Sequence, residues 1–171
     1  MPLSREIQDR VGEHPCFSRG AHFQYGRLHL PVAPSCNIQC AYCDRRFDCP
    51  NESRPGVSST ILTPEQALQR VEQALCQAPE LRVIGIAGPG DPLCNPAAME
   101  TLALLRRSFP HMTLCLSTNG LLLPEKIEEL TEYGVKTLTV TVNALRMETA
   151  RRLYSHIQYH GKVLPLEEGI S

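Results

Sequence analysis

Neither sign of charge dominates this sequence. Its 171 residues carry 17 Lys and Arg against 18 Asp and Glu, for a formal net charge of −1. An extended nucleic-acid surface or an anionic membrane needs a basic field, so neither partner has electrostatic support. Long apolar runs are also missing, and none approaches the length of a membrane span. The opening stretch MPLSREIQDRVGEHP is polar and has no apolar signal core. Nothing there marks the chain for secretion, and a cytoplasmic location is the default expectation. Tryptophan is absent and aromatics reach only 5%, yet hydrophobic residues make up 42% and charged residues 20%. That balance excludes global disorder and suits one domain with a real core.

Cysteine is what the chain has in quantity. There are eight, and Cys36, Cys40, Cys43 and Cys49 fall close together. In a chain without secretion signals, clustered cysteines point to metal or redox chemistry rather than to disulfides.

Residues 1–27 show no sustained periodicity and read as an irregular arm. LHLPVA (28–33) is a short strand candidate, and residues 34–62 read as a long loop, of the kind that usually serves a function. Thr63-Pro64-Glu65-Gln66 is a helix start with capping-box chemistry. Ala67, Leu68, Val71, Ala74, Leu75 and Ala78 then recur at helical spacing until Pro79. LRVIGIAG (81–88) is a buried-strand run, and Asn95-Pro96 opens a helix through Met99, Leu102, Leu105 and Phe109. MTLCLS (112–117) is a strand, Pro124 begins a helix closed by Gly134, and VKTLTVTV (135–142) is a fourth strand. A last helix is expected from Met147 to Ile157.

Four repeats of strand, loop and helix predict an α/β fold with a parallel sheet and right-handed crossovers. In such sheets functional residues gather at the C-terminal strand ends. Those ends here are the Cys36–Cys49 loop, Gly88-Pro89-Gly90-Asp91-Pro92, Ser117-Thr118-Asn119-Gly120, and Asn143. They are expected to converge on one rim.

Cys36-x-x-x-Cys40-x-x-Cys43 places three thiols in one loop, as an iron–sulfur cluster requires. Three cysteines leave one iron of a [4Fe–4S] cluster open to a small molecule. Zinc is the alternative, with Cys49 as a fourth thiolate. Tyr42 sets an aromatic ring beside the motif. Gly88 and Gly90 allow close backbone approach to a ligand, and Asp91 could pair with an ammonium, although the same residues also make an ordinary turn. Ser117, Thr118, Asn119 and Asn143 are candidate hydrogen-bonding groups, or else caps and turn residues. Glu52 and Arg54 are candidate proton handlers, or a loop ion pair. Cys76 lies mid-helix and reads as packing.

CNIQCAYC resembles the signature of the radical S-adenosylmethionine (radical SAM) enzymes. The wider strings HPCFS, RFDCPNESRPGV, AGPGDPL, LCLSTNG and QYHGKV resemble the NifB family within them. This resemblance implies a partial parallel (βα) barrel. It implies that Cys36, Cys40 and Cys43 hold a [4Fe–4S] cluster whose open iron chelates SAM, and that reductive cleavage of SAM yields a 5′-deoxyadenosyl radical. It assigns Gly88, Gly90 and Asp91 to SAM binding. It makes Cys16, Cys49 and Cys115, with His22 or His14, ligands of an auxiliary iron–sulfur cluster. The product implied is the carbide-containing iron–sulfur precursor of the nitrogenase cofactor. The partners implied are iron–sulfur cluster donors, a reductant such as ferredoxin or flavodoxin, and a cofactor carrier or scaffold.

Residues 1–27 are then an arm with auxiliary ligands, and residues 28–171 a radical SAM domain. Four βα units fall short of the family's six, and the later cysteine pair of the family has no counterpart after Cys115. The expected domain is therefore incomplete at its C-terminus. A non-catalytic iron–sulfur carrier, another radical SAM enzyme and a zinc-stabilised module are the competing expectations.

Overall fold

The computed structural model describes residues 11–44, 49, 60–86 and 88–170. Glu52 and Arg54 lie outside them. The elements run β1 (Gly26–Leu30), β2 (Ile38–Cys40), α1 (Pro64–Gln77), β3 (Leu81–Ile86), α2 (Pro96–Ser108), β4 (Thr113–Thr118), α3 (Leu123–Glu132), β5 (Val135–Val140), α4 (Met147–Leu153), β6 (Tyr154–Tyr159), β7 (Lys162–Leu164) and α5 (Leu166–Ile170).

The start of α1 follows from its sequence. The Thr63 side chain accepts from the Gln66 backbone N–H, and the Gln66 side chain accepts from the Thr63 N–H. Such a box satisfies two donors that a helix end otherwise leaves bare, and losing the cap costs about 1 kcal/mol. Asn95 precedes Pro96 as expected but makes no capping bond. Its side chain is used elsewhere, as described below.

Strands β1, β3, β4 and β5 form one parallel sheet in the order β1-β3-β4-β5. This is the four-unit pattern the alternation predicts. Strand side chains alternate between faces. One face carries Leu30, Ile84, Ile86, Leu114 and Leu116, which pack with Val71, Leu102 and Leu105 into the core. Each such buried side chain contributes about 1.5–3 kcal/mol. The opposite face carries Arg27 and His29 of β1, Gly85 of β3, Cys115 of β4 and Thr137 of β5. His29, Gly85, Cys115 and Thr137 stand in one row across all four strands.

Several expected boundaries shift. The first strand spans 26–30 rather than 28–33. The expected loop 34–62 contains β2, and the expected helix from Met147 ends at Leu153. The chain then runs extended as β6, pairing antiparallel with β2 and β7. The sequence YSHIQY explains the change. It is rich in aromatic and β-branched residues and finds a partner edge in β2, which helical periodicity cannot foresee. Ile157, only 1% exposed, stands opposite Ile38. Ala41 and Gln158 add backbone bonds to Leu153 and Asn37, both at 2.7 Å. The hairpin is tied to α3 through Tyr159 and His160, both bonded to Glu125. Cys76 is exposed on α1 rather than packed, because the apolar stripe of that helix faces away from it.

Candidate active site at the rim of the parallel sheet

The segment after β1 enters the site under tight backbone control. Gly90 N–H donates to the Ala33 carbonyl at 2.6 Å, and Asp91 N–H donates to the Ser35 carbonyl at 2.8 Å. A Cβ on Gly90 would lie 2.0 Å from the Ser35 oxygen, so only glycine fits this contact. The Asn95 side chain closes the same junction. Its amide donates to Ser35 O and Asp91 O, both at 2.7 Å, and its oxygen accepts from the Ser35 N–H. Two loops distant in sequence are thus stitched together one residue before Cys36.

Cys36, Cys40, Cys43 and Cys49 all line one pocket. Tyr42, Pro89, Gly90, Asn119, Asn143 and Tyr154 complete most of its wall. The thiols share the pocket without converging on a point. Among the described residues, no three His, Cys, Asp or Glu side chains form a ready single-ion site. The Gln39 side chain shapes the cysteine turn by donating to the carbonyls of Cys40 and Cys43 at 3.0 and 3.3 Å. Asn119 donates to the Cys36 sulfur at 3.7 Å and to the Asn37 side chain at 2.7 Å. Donors to sulfur stabilise the thiolate form that metal binding needs.

Asp91 does not face the pocket as an open ammonium partner. It is 1% exposed. Its carboxylate accepts from the Leu93 N–H at 2.9 Å, the Thr118 hydroxyl at 2.7 Å and the Asn119 N–H at 2.6 Å. Burial pushes its pKa up, and these three bonds oppose that rise. Thr118, fully buried, is likewise spent on Asp91 rather than offered to a ligand. Ser117 is 5% exposed on the other face of β4. The pair Asp91–Thr118 therefore positions Asn119, which does reach the pocket. The Cys94 thiol donates to Ser35 O and Asp91 O at 3.2 Å. Burial, with the nearby Asp91 and Cys36, pushes it up to about 12, so Cys94 is an inert hydrogen-bond donor.

The expected auxiliary set divides. Cys49 joins the main pocket. Cys16 and Cys115 both lie within the electrostatic reach of Arg27, on the sheet face opposite the core, and Arg27 donates to the Cys16 sulfur at 3.2 Å. Burial pushes the Cys115 thiol up, while the Arg27 charge pulls it back. His22 is exposed and rests against the Phe23 ring. His14 is the histidine beside Cys16, whose N–H donates to His14 Nδ1 at 3.1 Å. It is 1% exposed, and burial with the Arg27 charge holds it down to about 4, hence neutral.

Sequence reasoning missed Arg27, Gln39, Asn95 and Tyr154. Arg27 falls within the strand GRLHL, two residues before His29, one residue upstream of the stretch the sequence offered as a strand.

The model of the Radical SAM superfamily matches residues 30–161. The FeMo cofactor biosynthesis protein NifB of Klebsiella pneumoniae is 53% identical over 161 residues, covering 94% of this chain and 34% of that protein. The protein of the same name from Chlorobaculum tepidum is 50% identical over 90% of this chain and 36% of its own length. That from Azotobacter vinelandii is 44% identical over 97% and 35%. The chain thus spans about a third of the length of these relatives. Among solved structures, the crystal structure of BtrN in complex with AdoMet and 2-DOIA matches with a TM-score of 0.54. At 20% identity over 71% of this chain and 47% of that one, the likeness is one of fold. With most of the sheet and the cysteine loop inside the matched region, the chain belongs to the radical SAM superfamily.

Proposed function

We propose that this chain carries the SAM-cleaving site of a NifB-type maturase acting in nitrogenase cofactor biosynthesis. The observation that carries this reading is the shared pocket of Cys36, Cys40 and Cys43 at the C-terminal rim of the parallel sheet. The donor set fits a [4Fe–4S] cluster. Three thiols lie in one short segment, the Gln39 side chain shapes their turn, and Asn119 donates toward one sulfur. Cys36, Cys40 and Cys43 are the ligands. Once bound, the cluster supplies the electron for reductive cleavage of SAM.

The protein's own part is placement. Gly90 brings the 88–92 backbone against the entry to Cys36, which leaves the rim narrow enough for a small ligand to bridge both loops. Asn119 and Asn143 offer polar groups to the amino and carboxylate ends of SAM. Tyr42 and Tyr154 supply an apolar wall that limits water. Asp91 acts one step back, by holding Asn119.

A second iron–sulfur group, treated as substrate for the carbide-containing product, is assigned to Cys16 and Cys115. Its nitrogen neighbour is His14 rather than His22. Cys49 lines the pocket of Cys36, Cys40 and Cys43. Glu52 and Arg54 are assigned to proton handling. Cluster donors, a ferredoxin- or flavodoxin-type reductant and a carrier are the partners this chemistry requires.

Anaerobic reconstitution followed by EPR with and without SAM tests the reading. The reduced protein is expected to give a [4Fe–4S] signal that changes on adding SAM and is lost in C36A, C40A and C43A. A cluster signal indifferent to SAM would overturn the SAM assignment and leave a carrier.

A further inference from the structure

On the inner face of the parallel sheet, charge and hydrogen-bonding capacity do not balance. The Arg27 guanidinium reaches across from β1 and gives one N–H to the Cys16 sulfur at 3.2 Å. Its other two nitrogens, Nε and Nη2, are buried and have no hydrogen-bond partner among the described residues. No described carboxylate forms an ion pair with it. His14 adds a third such group. Its Nδ1 accepts from the Cys16 N–H, so the neutral ring carries its proton on Nε2, which is also buried and unbonded.

Buried donors without acceptors are costly in general, and a charged group makes the cost larger. The sheet nevertheless makes room for it. A Cβ on Gly85 would lie 2.8 Å from both Arg27 Nε and Nη2, so glycine at the centre of β3 is what lets the guanidinium lie flat. In register, Gly85 stands beside Cys115. Over Gly85 lie the Arg27 guanidinium and the His29 ring, with Cys115 beside Gly85 in register and Cys16 held by the far end of the guanidinium.

We propose that Arg27 is the counter-charge of an anionic, sulfide-bearing iron–sulfur group seated on this face against Cys16 and Cys115. The proposal rests on the second-cluster reading above and adds the residue that neutralises it. The chemistry follows from the donor set. A bare metal cation would be repelled by an unpaired guanidinium. A thiolate-bound cluster carries net negative charge, and its sulfides accept N–H bonds that tune its potential. Arginine suits the task because its fixed fork presents several donors to one face.

The test uses the full chain with Cys36, Cys40 and Cys43 all replaced by alanine. Iron retained after anaerobic loading with ferrous iron and sulfide then belongs to the second site. With Arg27 intact, iron, sulfide and a reduced-cluster EPR signal are expected. Arg27→Met is expected to lose most of that iron, or to hold it at a lower reduction potential, and Arg27→Lys to retain more. Gly85→Ala keeps the charge but takes its space, and is expected to resemble Arg27→Met. Iron-free Arg27→Met is expected to melt at a higher temperature than its parent, because two buried donor nitrogens without acceptors have gone. Opposite signs for iron-free stability and iron retention mark a charge that serves a ligand.

Unchanged iron content and potential in Arg27→Met would overturn this assignment alone. Equal iron loss in Arg27→Met and Arg27→Lys, with both iron-free proteins melting lower, would also overturn it and make Arg27 a structural residue. No iron in the Arg27-intact variant would overturn both this assignment and the second-cluster reading.

Discussion

At the scale of single residues, backbone contact and buried hydrogen bonds set the site. Gly90→Ala forces a Cβ to within 2.0 Å of the Ser35 oxygen, and neither loop can yield without breaking the bonds beside it. A loss of about 3 kcal/mol in urea denaturation is expected, typical of severe overpacking, together with poor cluster loading. Asp91→Asn removes one of the acceptors that hold Asn119 and Thr118, at a cost of about 1–3 kcal/mol. Its pH dependence has a definite sign. Burial raises the folded pKa above its ordinary 3.8, so the folded state holds this proton more tightly than the unfolded chain. The group's contribution is full below 3.8 and declines as pH rises through the elevated folded value. The advantage of the parent over Asp91→Asn, followed by melting temperature, should shrink as pH increases across that window. An advantage that grows would mean that the three hydrogen bonds outweigh burial. The sequence exposed Gly90 and Asp91 as loop residues of interest. It did not show that the carboxylate turns inward, because that depends on Thr118 and Asn119 arriving from another strand.

At the scale of elements, the cysteine loop is held from outside its own segment. Strand β2 carries Cys40 and has β6 as its partner, with Ile157 buried opposite Ile38. Ile157→Ala should therefore cost about 2–5 kcal/mol in local stability and lower iron retention, although it touches no ligand. Iron content after reconstitution checks this, with Ile157→Val expected near the parent. The helices were legible because capping chemistry and apolar spacing are local. Helix α1 begins at the Thr63 box as its residues dictate. The passage from α4 into β6 was not legible. Residues 154–159 can satisfy either pattern, and the choice is made by the available edge of β2.

At the scale of the whole molecule, the parallel sheet ends on β5 in the described structure. Val140 and Val142 are 42% and 65% exposed there, and Leu145 beyond them is 93% exposed. Exposed apolar residues along a strand edge favour pairing with other chains. This chain is expected to self-associate with rising concentration, and Val142→Lys to reduce that association in sedimentation experiments. An unchanged association would place the contact elsewhere. No helix among the described residues is long and apolar enough to cross a membrane.

Neighbouring residues are enough to give the alternation of strands and helices and the cysteine spacing, because each is written locally. Which distant groups meet depends on the folded sheet. The folded chain brings Cys49 into one pocket with Cys36, Cys40 and Cys43, and brings Arg27 against both the Cys16 sulfur and Gly85. Those meetings follow from strand order and register, which arise when the whole sheet closes its hydrogen bonds and buries its apolar face. No short stretch of sequence carries that information.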